Sequence, residues 1–317
     1  MIVDVNNKKS VRSAFGNALC KVGEKNQDVV VLDADLSCST QTQIFAKKFP
    51  ERFFDCGIAE QDMMATAAGL ASQGKIPFVS SFAVFVTGRT YDQIRNSICY
   101  PSFNVKIVGT HGGVTVGEDG ASHQALEDVS LMRGLPNMTV IVPADAKECE
   151  KAVEFAAEHK GPVYIRIPRG NVAEVFGDDY LFNINKAVIM EEGSDISVIA
   201  NGETLAPVLQ AAEMLKKDGI SVEVIHLPVV KPFDVNTVIE SIKKTKHAVT
   251  VENHSIIGGL GSAVCEAVCE NFPAEVLRIG INDTFGQSGD SDSLLEYYGL
   301  TAGAVYEKIK SKLKDWK

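Results

Sequence analysis

Several features of common protein classes are missing from this 317-residue sequence. No apolar run is long enough to cross a membrane, and Met1-Ile-Val-Asp-Val-Asn6 is not a basic start followed by an apolar stretch. We therefore predict neither a membrane span nor a signal peptide. The seven cysteines are an odd number without a Cys-x-x-Cys pair, which argues against a disulfide framework and favours a reducing cytoplasm.

Positive charge is also in deficit. The sequence has 31 Lys and Arg against 41 Asp and Glu, which gives a net charge of -10. A general nucleic-acid-binding protein is therefore not expected, although a phosphorylated small molecule needs only a local cationic pocket. The pattern Gly-x-Gly-x-x-Gly does not follow the first predicted parallel strand, where Asp33-Ala-Asp35-Leu36 stands instead. This absence disfavours a dinucleotide-binding oxidoreductase.

The length and the hydrophobic pattern indicate two domains of one fold class. Short apolar runs alternate with helical periods over most of the chain, which favours an α/β fold with two domains, each a mainly parallel sheet flanked by helices. We predict a first domain over residues 1–175, a linker over 176–193 and a second domain over 194–317. Strands are predicted at Val29–Leu32, Ile76–Ser80, Val105–Gly109, Met138–Val142, Pro162–Ile167, Ile196–Ala200, Val222–His226, Ala248–Val251 and Val276–Ile279. Helices are predicted after an N-cap at Ser10, from Glu60, from about Asp145, and over Leu205–Lys217, Val235–Lys244 and Gly261–Asn271.

One stretch is unusual in composition and reads FFDCGIAEQDMMATAAGLA from Phe53 to Ala71. Gly57 predicts a tight turn, and Glu60 falls at the start of a helix rich in Ala and Met. Unpaired N–H groups and the helix dipole favour a carboxylate at that position, so a purely structural role is open. The small residues around Glu60 would equally allow a flat ring to approach a semi-buried carboxylate.

Further motifs accompany this stretch in a fixed order: ADLSCS, FFDCGIAEQ, GEDGASHQALED, RGLPNM, VPADAKE and, later, HAVTVENHSIIGGLGSAVCE. The ordered set resembles the transketolase superfamily of thiamine diphosphate enzymes over nearly the whole chain. The resemblance implies a pyrimidine-binding domain followed by a transketolase C-terminal domain. The family's Gly-Asp-Gly site for diphosphate and Mg²⁺, which is followed by an Asn, is not found. The resemblance, together with the absence of this site, therefore implies a C-terminal subunit. An N-terminal partner subunit would supply the site, in an α2β2 assembly.

The resemblance also implies roles for individual residues. The catalytic residues it implies are Glu60, His111 and His123. The residues it implies for binding thiamine diphosphate are Glu60, Phe82, Phe85 and Asp35, with Glu60 bonded to the aminopyrimidine ring. The residues it implies for binding a sugar phosphate are Arg12, Ser39, His111, Asp119, His123 and Arg169. No metal ligand is expected on this chain, because the Mg²⁺ ligands are expected on the partner.

Plainer interpretations of some of these residues stay open. Phe82 would serve equally well as a core residue. Arg166 competes with Arg169 for the phosphate role, because alternation along a strand turns either side chain inward. A further aromatic residue of many transketolases would fall near Gly88, which has no side chain, and Tyr91 is the candidate to replace it.

The predicted function is transfer of a two-carbon ketol unit between sugar phosphates. No protein side chain stabilises the carbanion that such a transfer requires, and a thiazolium cofactor does. One alternative is an enzyme like 1-deoxyxylulose-5-phosphate synthase, and another is one like the E1 β subunit of a 2-oxo acid dehydrogenase. The third is a non-catalytic regulatory subunit that retains the fold, which the presence of Glu60, His111 and His123 disfavours.

Overall fold

The computed structural model describes residues 7–316. Met1–Asn6, on which the prediction of no signal peptide rests, lies outside the described residues. The strands in chain order are β1 Lys8–Ser10, β2 Val29–Asp33, β3 Phe53–Asp55, β4 Ile76–Phe82, β5 Lys106–Thr110, β6 Thr139–Ile141, β7 Val163–Arg166, β8 Asn171–Ala173, β9 Val188–Glu191, β10 Ile196–Ala200, β11 Val222–His226, β12 Val229–Lys231, β13 His247–Ser255 and β14 Glu275–Ile281.

The helices lie between these strands. The α-helices are α1 Val11–Lys25, α2 Ser37–Thr40, α3 Gln43–Lys48, α4 Glu60–Ser72, α5 Tyr91–Gln93, α6 Asp128–Arg133, α7 Ala146–Glu158, α8 Leu205–Lys217, α9 Val235–Thr245, α10 Leu260–Asn271, α11 Ser291–Tyr297 and α12 Ala302–Asp315. Short 3₁₀ helices span Pro50–Arg52, Val114–Asp119 and Gly202–Thr204, and π-helical turns span Phe85–Arg89 and Ile94–Cys99. Over residues 7–316, no helix is both long and apolar enough to cross a membrane.

The larger sheet has seven strands in the order β12-β6-β7-β5-β4-β2-β3. All of its pairs are parallel except β12 with β6, which are antiparallel. Its inner strands are buried on both faces because alternate side chains enter two different hydrophobic clusters. Val29 and Val31 pack with α1 and α7, whereas Val30 and Leu32 pack with α4.

The smaller sheet has five strands in the order β14-β13-β10-β11-β9, and only β9 runs antiparallel to its neighbour. Helices cover both faces of this sheet, with α8 and α12 in one cluster and α9 and α10 in the other. The predicted fold class, two domains with mainly parallel sheets flanked by helices, is confirmed.

Short strands link the two halves of the chain more closely than the predicted domains suggest. β9 lies within the predicted linker and pairs with the smaller sheet, and β12 lies within the predicted second domain and pairs with the larger sheet. Near the N-terminus, β1 pairs with β8 in a separate two-stranded sheet. The domain limits 1–175, 176–193 and 194–317 stay a prediction.

Candidate functional site

The carboxyl ends of five parallel strands meet along one edge of the larger sheet. These strands are adjacent in the order β7-β5-β4-β2-β3, and open α/β sheets bind ligands at such an edge. Most of the residues predicted for the site lie at these strand ends or on the segments that follow them. In strand order from β7 to β3, they are Arg169, His111, Phe82 with Phe85, Asp35 and Glu60.

Glu60 is the first residue of α4, as predicted, and only 5% of its surface is exposed. The preceding residue, Ala59, caps the helix without a side-chain hydrogen bond. Glu60 therefore belongs to the first turn of α4, where free N–H groups and the helix dipole favour negative charge. Its Oε1 accepts a hydrogen bond from Nη1 of Arg89 at 2.9 Å, in an ion pair that sequence reasoning did not anticipate.

Aromatic rings cluster beside this carboxylate. Phe82 and Phe85 are nearly parallel, with ring centroids 5.7 Å apart and an interplanar angle of 8°. His111 stacks on Phe82 at 3.7 Å, and His123 meets the Phe85 ring edge-on at 5.3 Å. Phe82 is itself 7% exposed, so it is a buried residue that also borders this cluster of rings, and its role in the site stays a prediction. Tyr91 packs against the hydrophobic cluster under α4, and Arg89 covers the Phe85 ring instead.

His111 follows β5 in a left-handed backbone conformation, with φ at +59°. Its Nδ1 shares a hydrogen bond of 2.8 Å with Oγ1 of Thr110, and the side chain is buried. Burial, followed by the positive charges of Arg12 and Arg169 and the nearby His123, lowers the pKa of His111 to about 3. The imidazole is therefore neutral near pH 7, with one nitrogen to donate and one to accept.

The buried neutral state of His111 predicts a pH dependence of stability. The pKa is about 3 in the folded chain and 6.5 in the unfolded chain, so the unfolded chain binds more protons between these values. Stability from this residue is complete above pH 6.5 and falls as the pH falls, by about 2 kcal/mol at pH 5. Urea unfolding of the wild type and His111→Asn at pH 7 and pH 5 measures it. An equal loss in both proteins between the two pH values would contradict the prediction.

Three of the predicted phosphate-binding residues meet at the sheet edge. Nε of Arg12 donates to the carbonyl oxygen of Arg169 at 2.9 Å, and Nη1 donates to the carbonyl oxygen of Ser39 at 2.6 Å. Ser39 thus contacts Arg12 through its backbone. Burial, followed by the charge of Arg169, lowers the pKa of Arg12. The guanidinium of Arg169 donates to the carbonyl oxygen of Val116 and lies 3.3 Å from a carboxylate oxygen of Glu118.

Arg166, the competitor of Arg169, has a different environment. It is 6% exposed, and its Nε lies 2.9 Å from Oδ2 of Asp128, a fully buried carboxylate at the start of α6. The same carboxylate oxygen accepts a hydrogen bond from Tyr164 at 2.6 Å. Nη2 of Arg166 donates to the carbonyl oxygen of Asn253 at 2.7 Å. These contacts use Arg166 to join α6 and β13, whereas Arg169 extends beyond the strand end.

The polar cluster after β2 separates into one buried and one exposed carboxylate. Asp33 is fully buried, and its oxygens accept from the backbone of Leu36 and the hydroxyls of Thr40 and Thr42 at 2.7–2.8 Å. Burial raises the pKa of Asp33 to about 6, against the opposing effect of these hydrogen bonds. The predicted residue, Asp35, is exposed, with φ at +60°. Asp33 therefore shapes the loop, and Asp35 is the side chain that the loop presents.

The loop that carries Asp119 and His123 is held by residues beyond position 200. Asp119 is exposed at its tip, and Nδ1 of His123 shares a hydrogen bond with Ser122 at 2.9 Å. At the base, Thr115 donates to the half-buried Glu203 at 2.9 Å. Gln124 donates to the carbonyl oxygen of Gln287 at 3.0 Å. The smaller sheet and its loops therefore fix the position of the two predicted substrate-binding residues.

The described residues do not bring potential metal ligands together. Across the described part of the chain, no three or more His, Cys, Asp or Glu side chains are placed to hold a metal ion.

Comparison with known proteins identifies the family. Residues 7–174 match the family described as "Transketolase, pyrimidine binding domain", and residues 185–305 match "Transketolase, C-terminal domain". A protein of Methanocaldococcus jannaschii named "Putative transketolase C-terminal section" is 50% identical, with 96% of this chain and 97% of that protein covered. A "6-deoxy-6-sulfo-D-fructose transketolase subunit" of a Clostridium species is 41% identical, with 93% and 92% covered.

A solved structure gives the same result. It is described as "Split gene transketolase, inactive beta4 tetramer", and it superposes with a TM-score of 0.90 at 50% identity, covering 97% of this chain and 99% of that one. The chain therefore belongs to the transketolase family, as the C-terminal section of a split transketolase with a pyrimidine-binding domain and a C-terminal domain.

Proposed function

We propose that this chain is the C-terminal subunit of a thiamine-diphosphate-dependent transketolase that moves a two-carbon ketol unit from a ketose phosphate to an aldose phosphate. The observation that carries the proposal is the buried Glu60 carboxylate at the start of α4, beside the parallel rings of Phe82 and Phe85. An acidic group held away from water next to flat apolar faces suits an amino-substituted aromatic ring.

The residues present fit the pyrimidine end of thiamine diphosphate. Phe85 offers a flat ring face, and Glu60 offers a carboxylate oxygen that already accepts an N–H hydrogen bond at 2.9 Å. When bound, the cofactor supplies the electron sink that ketol transfer needs. Glu60 would accept a hydrogen bond from the aminopyrimidine and hold a proton at its ring nitrogen, and Phe82 and Phe85 would fix the ring and exclude water.

The neutral His111 and the neighbouring His123 would orient the hydroxyl and carbonyl groups of the sugar. Both rings lie against Phe82, so they would flank the reacting end of a substrate. Nε of Arg12 donates to the carbonyl oxygen of Arg169 at 2.9 Å, and the positive charges of both arginines lower the pKa of His111, which supports two guanidinium groups near one bound anion. Guanidinium groups suit phosphate oxygens, and a sulfonate would present a similar anion.

A partner chain would supply the diphosphate and Mg²⁺ site, in an assembly of two copies of each chain. The Gly-Asp-Gly pattern for that site is missing from the sequence. The related split transketolase described as a β4 tetramer is also described as inactive, which supports a need for a second kind of subunit.

The test of the proposal is reconstitution of ketol transfer. We expect transfer from xylulose 5-phosphate to ribose 5-phosphate, with thiamine diphosphate and Mg²⁺, only when this chain is combined with a chain that co-purifies with it from its source. The chain alone and the co-purified chain alone are the controls. Activity with 6-deoxy-6-sulfofructose as donor would extend the substrate class to sulfonates. Decarboxylation of pyruvate without ketol transfer, or no turnover of any donor by a stable complex, would contradict the proposal.

A further inference from the structure

One side chain lies between the two groups that are proposed to hold the aminopyrimidine ring. The guanidinium carbon of Arg89 lies 4.1 Å from the centroid of the Phe85 ring, over its face. Nη1 of the same group donates to Oε1 of Glu60 at 2.9 Å. Arg89 therefore stacks on the aromatic partner and satisfies the carboxylate partner at the same time.

The local structure explains why Arg89 reaches both groups. Phe85 and Arg89 are the first and last residues of a π-helical turn, which places their side chains on the same side. The side-chain amide of Gln61 donates to the carbonyl oxygen of Arg89 at 2.8 Å and ties the turn to α4.

A guanidinium group reproduces the features that an aminopyrimidine would present to this site. It is planar, it stacks on aromatic faces, and it carries N–H donors at its edge. A ring bound as proposed would contact the Glu60 carboxylate and the Phe85 ring, the two groups that Arg89 contacts here, and two planar groups cannot occupy one volume. The contacts of Arg89 and those of the cofactor are therefore mutually exclusive.

We propose that Arg89 occupies the aminopyrimidine position in the cofactor-free subunit and must leave it before thiamine diphosphate binds. This inference rests on the proposed function. The side chain of Arg89 is 51% exposed, whereas that of Glu60 is 7% exposed, so the arginine can turn towards solvent while the carboxylate stays in place. The state in which Arg89 contacts Glu60 and Phe85 cannot bind the cofactor. The larger the fraction of molecules in that state, the lower the apparent affinity for the cofactor. It also keeps a buried carboxylate paired in the absence of ligand.

The experiment uses calorimetric titration of thiamine diphosphate with Mg²⁺ into the complex of this chain with its co-purified partner. The variants are Arg89→Ala, which removes the competing group, and Arg89→Lys, which keeps the positive charge but removes the planar group. Arg95→Ala is the matched control, because Arg95 is an exposed arginine in the next π-helical turn and bonds to Asn96. A thermal unfolding curve of each variant shows that it is folded.

We expect Arg89→Ala to lower the dissociation constant of the cofactor about five- to twenty-fold, a range set by the strength of one ion pair and one cation–π contact. Arg89→Lys should fall between the wild type and Arg89→Ala, and Arg95→Ala should match the wild type. Unchanged or weaker binding by Arg89→Ala, in a complex whose wild type binds the cofactor, would overturn this inference and leave the proposed function standing. A wild-type complex that binds no thiamine diphosphate would overturn both.

Discussion

Replacing Glu60 by glutamine is expected to lower the rate of ketol transfer by about 10²–10⁴-fold in the reconstituted complex, the range for loss of an acid–base group. An amide matches the shape of the carboxylate, so Glu60→Gln preserves packing at the start of α4. It cannot hold the negative charge that lets Glu60 share a proton with the aminopyrimidine. The chain should therefore fold and assemble normally but turn over slowly.

The control for this variant is Asp62→Asn. Asp62 is an exposed carboxylate in the same first turn of α4, so its loss removes the same charge from the helix N-terminus. We expect Asp62→Asn to retain the wild-type rate. The measurement is turnover at saturating donor and cofactor, with circular dichroism as the check of folding. If Glu60→Gln also retains the wild-type rate, Glu60 serves only as a helix-terminal carboxylate, the structural alternative that its position allows.

Replacing Arg166 by methionine is expected to reduce the free energy of unfolding by about 3–5 kcal/mol, the cost of leaving one member of a buried ion pair without its partner. Asp128 would remain as a fully buried carboxylate, and the carbonyl oxygens of Ala125 and Asn253 would each lose a donor. The loss is large because water cannot reach these groups to replace the guanidinium.

Two further variants separate this effect from a general loss of charge. The double variant Arg166→Met with Asp128→Leu removes both charges, and part of the lost stability should return because no buried charge is left unpaired, while Tyr164 and the two carbonyl oxygens still lack a partner. Lys75→Met breaks the ion pair of Lys75 with Asp28, which is exposed on both sides, and should cost at most about 1 kcal/mol. The measurement is urea unfolding followed by circular dichroism. An unfolding midpoint for Arg166→Met equal to that of Lys75→Met would show that the pair contributes little.

The apolar strands and long helices could be predicted because their patterns are local. Ile196–Ala200, Val222–His226 and Leu205–Lys217 have the predicted ends, since continuous apolar runs and a helical period mark them directly. β9 and β12 were not predicted. A strand of three or four residues carries too little pattern of its own, and its stability comes from a neighbour distant in the sequence.

The positions of the candidate site residues could be predicted where one motif fixes them, whereas their roles stay a prediction. Glu60 begins α4 as predicted, and Phe82, Phe85, His111 and His123 form one cluster of rings. The position of Arg89 over Phe85 could not be predicted, because it depends on a π-helical turn and on a side-chain rotamer. Likewise, Asp33 and Asp35 are the same residue type two positions apart. Only the structure shows that Asp33 is buried and holds the loop, whereas Asp35 is exposed.

The pairing of β12 with β6 has a consequence for dissecting this protein. An unpaired outer strand offers free N–H and C=O groups to any other chain, and proteins commonly cover such edges to avoid aggregation. Here the covering segment, Val229–Lys231, comes from a part of the chain almost ninety positions after β6. A fragment that contains the N-terminal half of the chain but ends before Val229 would lack this cover. It would expose the edge of β6, and we expect it to aggregate more readily than the intact chain.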